Sequence, residues 1–221
     1  MKKINWADHL MGFFSVILGV SLAFIISNES ERAKEKKDFQ LNVVAILEEV
    51  ESDIHTFESY QIPDNKEKLA LMQEAIQLLT LKKGGDSLSE KMAVFFDINN
   101  YAPTNITINS LISSGKLDLI SDFELKKKIL SYQNSSEELV AQGDFQVSFL
   151  MDQVIPWFVS KSEYFTGEKS IGEQGGDENS DAIMIFSLYT AFIQSKVSKY
   201  EAALEDAKEL ESMLRKYQLD K

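Results

Sequence analysis

The chain contains no cysteine. That absence removes disulfide frameworks, thiolate nucleophiles and cysteine-rich zinc sites together, and it suits either side of a bacterial membrane. Proline is nearly as scarce, with 3 in 221 residues, so long stretches are free to run as uninterrupted helix. Only two imidazoles are present, His9 and His55. Basic charge is also in deficit: 23 Lys and Arg stand against 35 Asp and Glu, a formal net charge of −12. Binding a phosphate backbone needs a concentrated basic footprint, which argues against nucleic acid as a partner. The same balance disfavours flat adsorption on anionic lipid. A chain of this length buries roughly 70% of its unfolded surface, enough for a core without disulfide or metal.

The most informative absence is local. From Leu10 to Ile26 no residue is charged, and the uncharged run continues through Ser27 and Asn28. At 1.5 Å per residue, residues 10–28 make a helix of about 28 Å, close to the ~30 Å of a bilayer's hydrocarbon. Trp6 lies just outside on one side, with Asp8 and His9 at the same edge, while Glu29 restores charge on the other. These are expected membrane-interface positions, where an indole rests among headgroups and charge resumes in water. A cleavable signal would need small residues after a short apolar core. Ser21, Leu22 and Ala23 fit, but Phe24, Ile25 and Ile26 carry the apolar run past them, and Asp8 spoils a basic leader. The expectation is a retained single-pass transmembrane helix at 10–28 in a bacterial inner membrane, preceded by a short tail at 1–9.

Within that span Ser15, Gly19, Ala23 and Ser27 recur every fourth residue and share one winding stripe. Lipid removes the hydrophobic drive between helices, so close approach along small side chains is what lets one span pack against another. Lys2 and Lys3 precede the span, whereas Arg32, Lys34, Lys36 and Lys37 follow it. A bare count would put the carboxyl side in the cytoplasm, but long following domains cross largely regardless of charge. The expected arrangement is a cytoplasmic tail and a periplasmic domain.

Beyond the span the chain reads as helix throughout. Phe39, Val43, Ile46 or Leu47, Val50, Ile54 and Phe57 recur at three-to-four spacing with no Pro or Gly between, so residues 29–62 form a stalk and first bundle helix. Its opening turns, "SNESERAKEKKD", are charged all round, as suits a solvated surface. Pro63 is expected to end this helix and start the bundle domain, 63–221, with Leu69, Met72, Ile76 and Leu79 as the next stripe. Ser87 with Glu90, and Ser121 with Glu124, have the spacing of capping boxes. A helical run from Phe123 to about Ser160 is expected to kink near Gly143 and again before Pro156. A flexible Gly- and acid-rich loop, 166–180, precedes a last helix capped by Ser180 or Asp181. That helix carries Ile183, Phe186, Ile193, Val197, Tyr200, Leu204, Ala207, Leu210, Leu214 and Tyr217 near heptad spacing. The fold expected is all-α: a transmembrane helix running into a long helix, then an antiparallel bundle with a long C-terminal helix.

No pattern nominates a catalytic residue. Glu51 and His55, four apart on a helix, could offer two metal ligands, but no second Glu-x-x-His accompanies them and a solvent-facing ion pair is the expected role. Asp177, Asn179 and Asp181 alternate like the start of a calcium loop. Ala182 then stands where the turn glycine is needed and Leu188 where a bidentate glutamate should close the site, so no calcium site is expected. Phe95, Phe96, Trp157 and Phe158 read as core aromatics. Gly115 in "SSGKL" permits the left-handed residue that stops one helix, with Leu117, Leu119 and Ile120 fastening the corner to the core.

Two stretches, "ILGVSLAFIISNESERAKEKK" and "NSLISSGKLDLISDFELKKKILSYQ", resemble a large bacterial family of single-span proteins with a helical domain of unknown function. Ser27, Asn28 and Glu29 after the Gly-containing span carry one match, and Ser114, Gly115, Lys116, Leu117 and Ile120 the other. Relatives tend to place a tryptophan after the asparagine, where this chain has Glu29. The resemblance implies a membrane-tethered helical domain and supplies no catalytic residue, metal or cofactor. The function expected is a membrane-anchored interaction protein without catalysis of its own, an accessory or scaffold subunit partnered by lipid, by itself or by another membrane protein. The alternative is a single-span sensory bundle holding a ligand near Trp157 and Phe158.

Overall fold

The computed structural model describes residues 6–81, 83, 86–160 and 177–219, with backbone alone at 6–10, 36, 86, 87, 89 and 177–179. Among the described residues every regular element is helical, and the protein is all-α. The helices are α1 (Trp6–Thr56), α2 (Ile62–Thr80), α3 (Asp86–Met92), α4 (Ile106–Ser113), α5 (Phe123–Phe149), α6 (Ile155–Ser160) and α7 (Asp177–Leu219). The chain divides into two compact units, Met1–Ala45 and Ile46–Lys221.

The first unit is helical from Trp6 onward. One helix of the described chain is long and apolar enough to cross a bilayer, and none of its apolar window is buried. Met11, Phe13, Phe14, Val16, Ile17, Leu18, Val20, Leu22, Phe24, Ile25 and Ile26 are all exposed. At 100° per residue these positions surround the helix except for an arc of about 80° taken by Gly12, Gly19 and Ala23, unlike the single buried stripe of a soluble core helix.

The second unit is a bundle in which α7 packs on both α2 and α5. Its direction is legible in ion pairs. Arg215 bonds Glu51, Lys208 bonds Glu58 at 2.5 Å and Lys66 bonds Glu201 at 2.6 Å, a descending series that runs α7 antiparallel to the end of α1 and to α2. On α5, Lys128 reaches Asp206 at 2.7 Å, Phe145 meets Phe192 at 5.2 Å and Phe149 stacks on Tyr189 at 5.9 Å, again antiparallel. Exposed pairs of this kind each contribute about 0–1 kcal/mol, so their main effect is to fix register, while the buried stripe supplies the stability. Of the stripe expected there, Phe186, Ile193, Val197, Tyr200, Ala207, Leu210 and Leu214 are buried, while Ile183, Leu204 and Tyr217 are half-buried at its edge.

Three local expectations are corrected. Pro63 does not end the helix: the chain passes through a π-turn at Phe57–Gln61, where the Ile62 amide donates to the Phe57 carbonyl, and α2 continues with Pro63 in its first turn. The wider turn relieves the clash that a proline ring makes with the carbonyl four residues back. Pro156 repeats the device, with a π-turn at Leu150–Val154 closed by the Ile155 amide on the Leu150 carbonyl. Gly143 produces no break in α5. A Cβ there would lie 3.2 Å from Asn100 Nδ2, so the missing side chain makes room for a neighbouring segment. Finally, Asp122, not Ser121, caps α5, accepting from the Glu124 and Leu125 amides at 2.9 and 3.1 Å.

The corner at Gly115 is left-handed, φ 69°, as expected. Leu117 and Ile120 are buried there, whereas Leu119 points outward at 44% exposure. Of the loop expected at 166–180, residues 166–176 lie outside the described residues and 177–180 belong to α7. The Ser87 capping box also lies outside the described side chains.

The Asp122 cap makes a direct prediction. Asp122→Ala is expected to cost about 1 kcal/mol, a fall of roughly 2–4 °C in Tm, while Ser121→Ala changes it by less than about 1 °C. Thermal unfolding of the two variants followed by circular dichroism checks the assignment; equal losses would refute it.

Candidate functional site

Two regions present chemistry beyond simple core packing: the exposed apolar helix of the first unit and a polar cluster inside the second. In the first, Ser15, Gly19, Ala23 and Ser27 all lie on helical backbone and are exposed. The Ser15 hydroxyl donates to the Met11 carbonyl at 2.9 Å, which satisfies it without water. Nothing within 4 Å would meet a Cβ on Gly19. Ala23 and Ser27 line a shallow hollow with Ile26, Ser30, Glu31 and Lys34. Trp6, Asp8 and His9 fall in α1, but their side chains lie outside the described residues.

The polar cluster surrounds a strap, residues 97–105, that carries no regular structure between the 3-10 turn at Ala93–Phe96 and α4. Pro103 in the strap denies the preceding residue helical backbone. A segment without its own hydrogen-bond ladder must find other partners for its polar groups, and here side chains from four helices provide them. Lys68 of α2 pairs with Asp97 at 2.7 Å. Lys196 of α7 donates to the Asn99 carbonyl at 2.5 Å, to Asn100 Oδ1 at 2.7 Å and to Gln146 Oε1 at 3.0 Å. The Tyr101 amide donates to the Tyr200 hydroxyl at 2.9 Å, and the Asn100 carboxamide donates to the Gly143 carbonyl at 3.2 Å.

Farther along, Asp53 of α1 sits at 6% exposure and receives two phenolic hydrogen bonds, from Tyr101 at 2.5 Å and Tyr132 at 2.7 Å. Asn105 adopts left-handed backbone, φ 48°, so its side chain does not cap α4. Glu49 substitutes from another helix, its carboxylate accepting from the Thr107 amide at 3.0 Å and hydroxyl at 2.7 Å. The Asn105 carboxamide turns instead to Ser136 Oγ at 2.8 Å.

Burial dominates the electrostatics of this cluster. It raises the Asp53 carboxyl above its ordinary value, against the lowering effect of the two tyrosine donors. It raises the Tyr101 and Tyr132 hydroxyls as well, assisted by the neighbouring carboxylate. Tyr200 is pushed up to about 12 by burial. Lys196, only 1% exposed, is pushed down to about 7, first by burial and then by the like charge of Lys68.

Sequence patterns missed this cluster because its members hide inside apolar stripes. Asp53 takes the buried slot where Ile54 was expected, and Ile54 itself is only half-buried. Lys196 adjoins Val197 on the buried seam of α7. Glu51 and His55 do not pair: Glu51 bonds Arg215, and His55 Nδ1 meets Ser59 Oγ at 3.2 Å beside the Tyr60 ring. Among the described residues no three His, Cys, Asp or Glu side chains converge as metal ligands. Asp177, Asn179 and Asp181 lie on α7, not in a loop. The aromatics near Trp157 fill the space between helices themselves, with Phe96 on Phe158 at 4.3 Å, Phe95 on Phe186 at 4.5 Å and Trp157 on Phe186 at 5.2 Å. Phe96 remains 41% exposed, so it is a rim residue of that core.

Compared with protein-family models, with curated proteins and with solved structures, the chain matches none.

Because Asp53 holds its proton more tightly when folded, its contribution to stability declines as pH rises from the ordinary carboxylate range through the raised value. Tyr132→Phe strips one of its two phenolic donors. The expected cost is about 2 kcal/mol at neutral pH, and less at a pH below the ordinary carboxylate value of 3.8, where the raised Asp53 carboxyl keeps its own proton. Urea unfolding at the two pH values measures the difference; a pH-independent loss would show that the carboxylate is not what the hydroxyl serves.

Proposed function

We propose that this protein is a membrane-anchored helical interaction protein, an accessory or scaffold subunit that performs no catalysis itself. The observation that carries the reading is the ring of eleven exposed apolar side chains between Met11 and Ile26. A soluble protein leaves apolar patches of this extent uncovered only where a partner or a bilayer covers them, and a span of this length matches hydrocarbon thickness. Residues 10–28 then cross a bacterial inner membrane once, with residues 1–9 in the cytoplasm and the helical unit in the periplasm. Ser15, Gly19, Ala23 and Ser27 offer the face along which a second span, from another copy or a different membrane protein, approaches closely. The filled aromatic core at Trp157 and Phe158 favours this reading over a ligand-sensing bundle.

Two measurements bear on it. Alkaline carbonate should leave the protein in the membrane pellet, and release into the supernatant would end the anchor reading. The cysteine-free background allows single thiols to be placed at will. Gly19→Cys is expected to form a disulfide-linked species with its partner span on mild oxidation, Leu18→Cys markedly less, and Gly19→Ile should abolish association in detergent. A strict monomer by mass in the unmodified protein, with no co-purifying partner, would overturn the interaction role. For orientation, Ser131→Cys on the exposed face of α5 should react with a membrane-impermeant maleimide in intact spheroplasts.

A further inference from the structure

We infer that the outer face of α7 between Met184 and Ser195, together with Phe145 of α5, is a docking surface for a second copy of this chain. This contact, which rests on the anchoring reading, lies on the second unit and is distinct from the span. Between Asp181 and Lys196 the helix carries no charged residue. Its inner side is packed, with Ala182, Phe186, Tyr189, Thr190 and Ile193 buried. The outer side is uncharged too: Met184 and Leu188 are 56% and 57% exposed, and Ala191 and Ser195 are exposed beside them. At 100° per residue those four positions share an arc of about 60°. A surface helix turns a charged side to water, whereas one apolar all round is covered on every side. The second half of α7 supplies the contrast, because its exposed positions include Glu201, Glu205, Lys208 and Arg215.

The bare face extends onto α5, where Phe145 is 57% exposed and its ring lies 5.2 Å from that of Phe192. Ala141 and Ser148, one turn to either side of Phe145, are exposed and small. Large Phe145, Leu188 and Met184 thus stand next to small Ala141, Ser148 and Ala191. Knobs beside hollows on one patch are what a surface needs to fit its own copy across a two-fold axis. Charge returns at the border, with Asp181, Asp144 and the pair of Lys199 with Glu138 at 3.8 Å. An uncharged centre with a polar rim is the anatomy of a protein interface.

Charge also selects the occupant. The chain carries a net −12, so two copies repel wherever their acidic surfaces face each other. A basic partner would be met by acidic side chains; a copy of the same sign is met closely through a face that has none. Insertion by one span gives every copy the same orientation, and sharing one bilayer raises their local concentration. Dilution in detergent removes that help, so the contact belongs to the membrane-bound state.

Thiol cross-linking of the full chain in membrane vesicles tests this, in the cysteine-free background and with Gly19→Ile removing the contact between spans. Leu188→Cys treated with a short bifunctional maleimide should give an adduct of twice the chain's mass. Glu205→Cys, on the charged half of α7, should give markedly less. Adding Phe145→Glu to Leu188→Cys should lower the adduct about tenfold, because a carboxylate would be buried at the contact without a partner. Labelling of the same thiol by a monofunctional maleimide should stay unchanged. No adduct, an adduct with a different protein, an equal yield from Glu205→Cys, or a yield indifferent to Phe145→Glu overturns the inference. Release by alkaline carbonate would instead overturn the anchor, which separates the two failures.

Discussion

The ammonium of Lys196 and the carbonyl of Asn99, 2.5 Å apart, mark the constraint around which the second unit is arranged. A bundle of helices satisfies its own backbone, but nine residues between the 3-10 turn and α4 do not, and they lie across the packed faces of α2, α5 and α7. Every polar group that this crossing covers needs a partner from a side chain. Lys68, Lys196, Tyr200 and Asp53 are placed to meet that need, and Glu49 does the same for the first turn of α4. Gly143 answers the same demand by subtraction, leaving Asn100 room against α5. The cost falls on the donors and acceptors themselves, which must give up water, and burial is accordingly the largest influence on Asp53, Tyr101, Tyr132 and Lys196.

The division between what the sequence discloses and what it conceals follows from the range of the interactions involved. The apolar run at 10–26 and the stripes on α2 and α7 depend on spacing within one helix, and periodicity exposes them. Gly115 was readable for the same reason, since a left-handed stop is a local event. The Asp122 cap differs from the Ser121 pattern by one residue, which spacing cannot arbitrate because both neighbours can accept amide protons. Residues that act across long sequence separations were not readable at all. Asp53 meets Tyr132 across 79 positions and Lys196 meets Asn99 across 97. Nothing local distinguishes these side chains from surface charge, except that each occupies a slot on a buried face.

Polar groups in the two units face opposite requirements. Around Met11–Ile26 the side chains are uncharged on every side, and the described hydroxyl bond there, Ser15 to Met11, closes within its own helix. In the second unit a polar cluster lies within an otherwise apolar core, and ion pairs such as Arg215 with Glu51 and Lys208 with Glu58 set register at the rim. Despite an acidic excess of 12 charges, the buried lysines among the described residues, Lys68 and Lys196, lie where the strap's oxygens accept from them.

The π-turns ahead of Pro63 and Pro156 each fit one more residue into a turn than an α-helix holds. Because a helix advances by 100° per residue, each such insertion re-indexes everything downstream, rotating the faces of α2 and α6 relative to the helices that precede them. Homologues that lack the proline could therefore lose one residue at that point and keep the same side chains inward, so length variation among relatives would cluster at 57–61 and 150–154 as paired events with proline replacement.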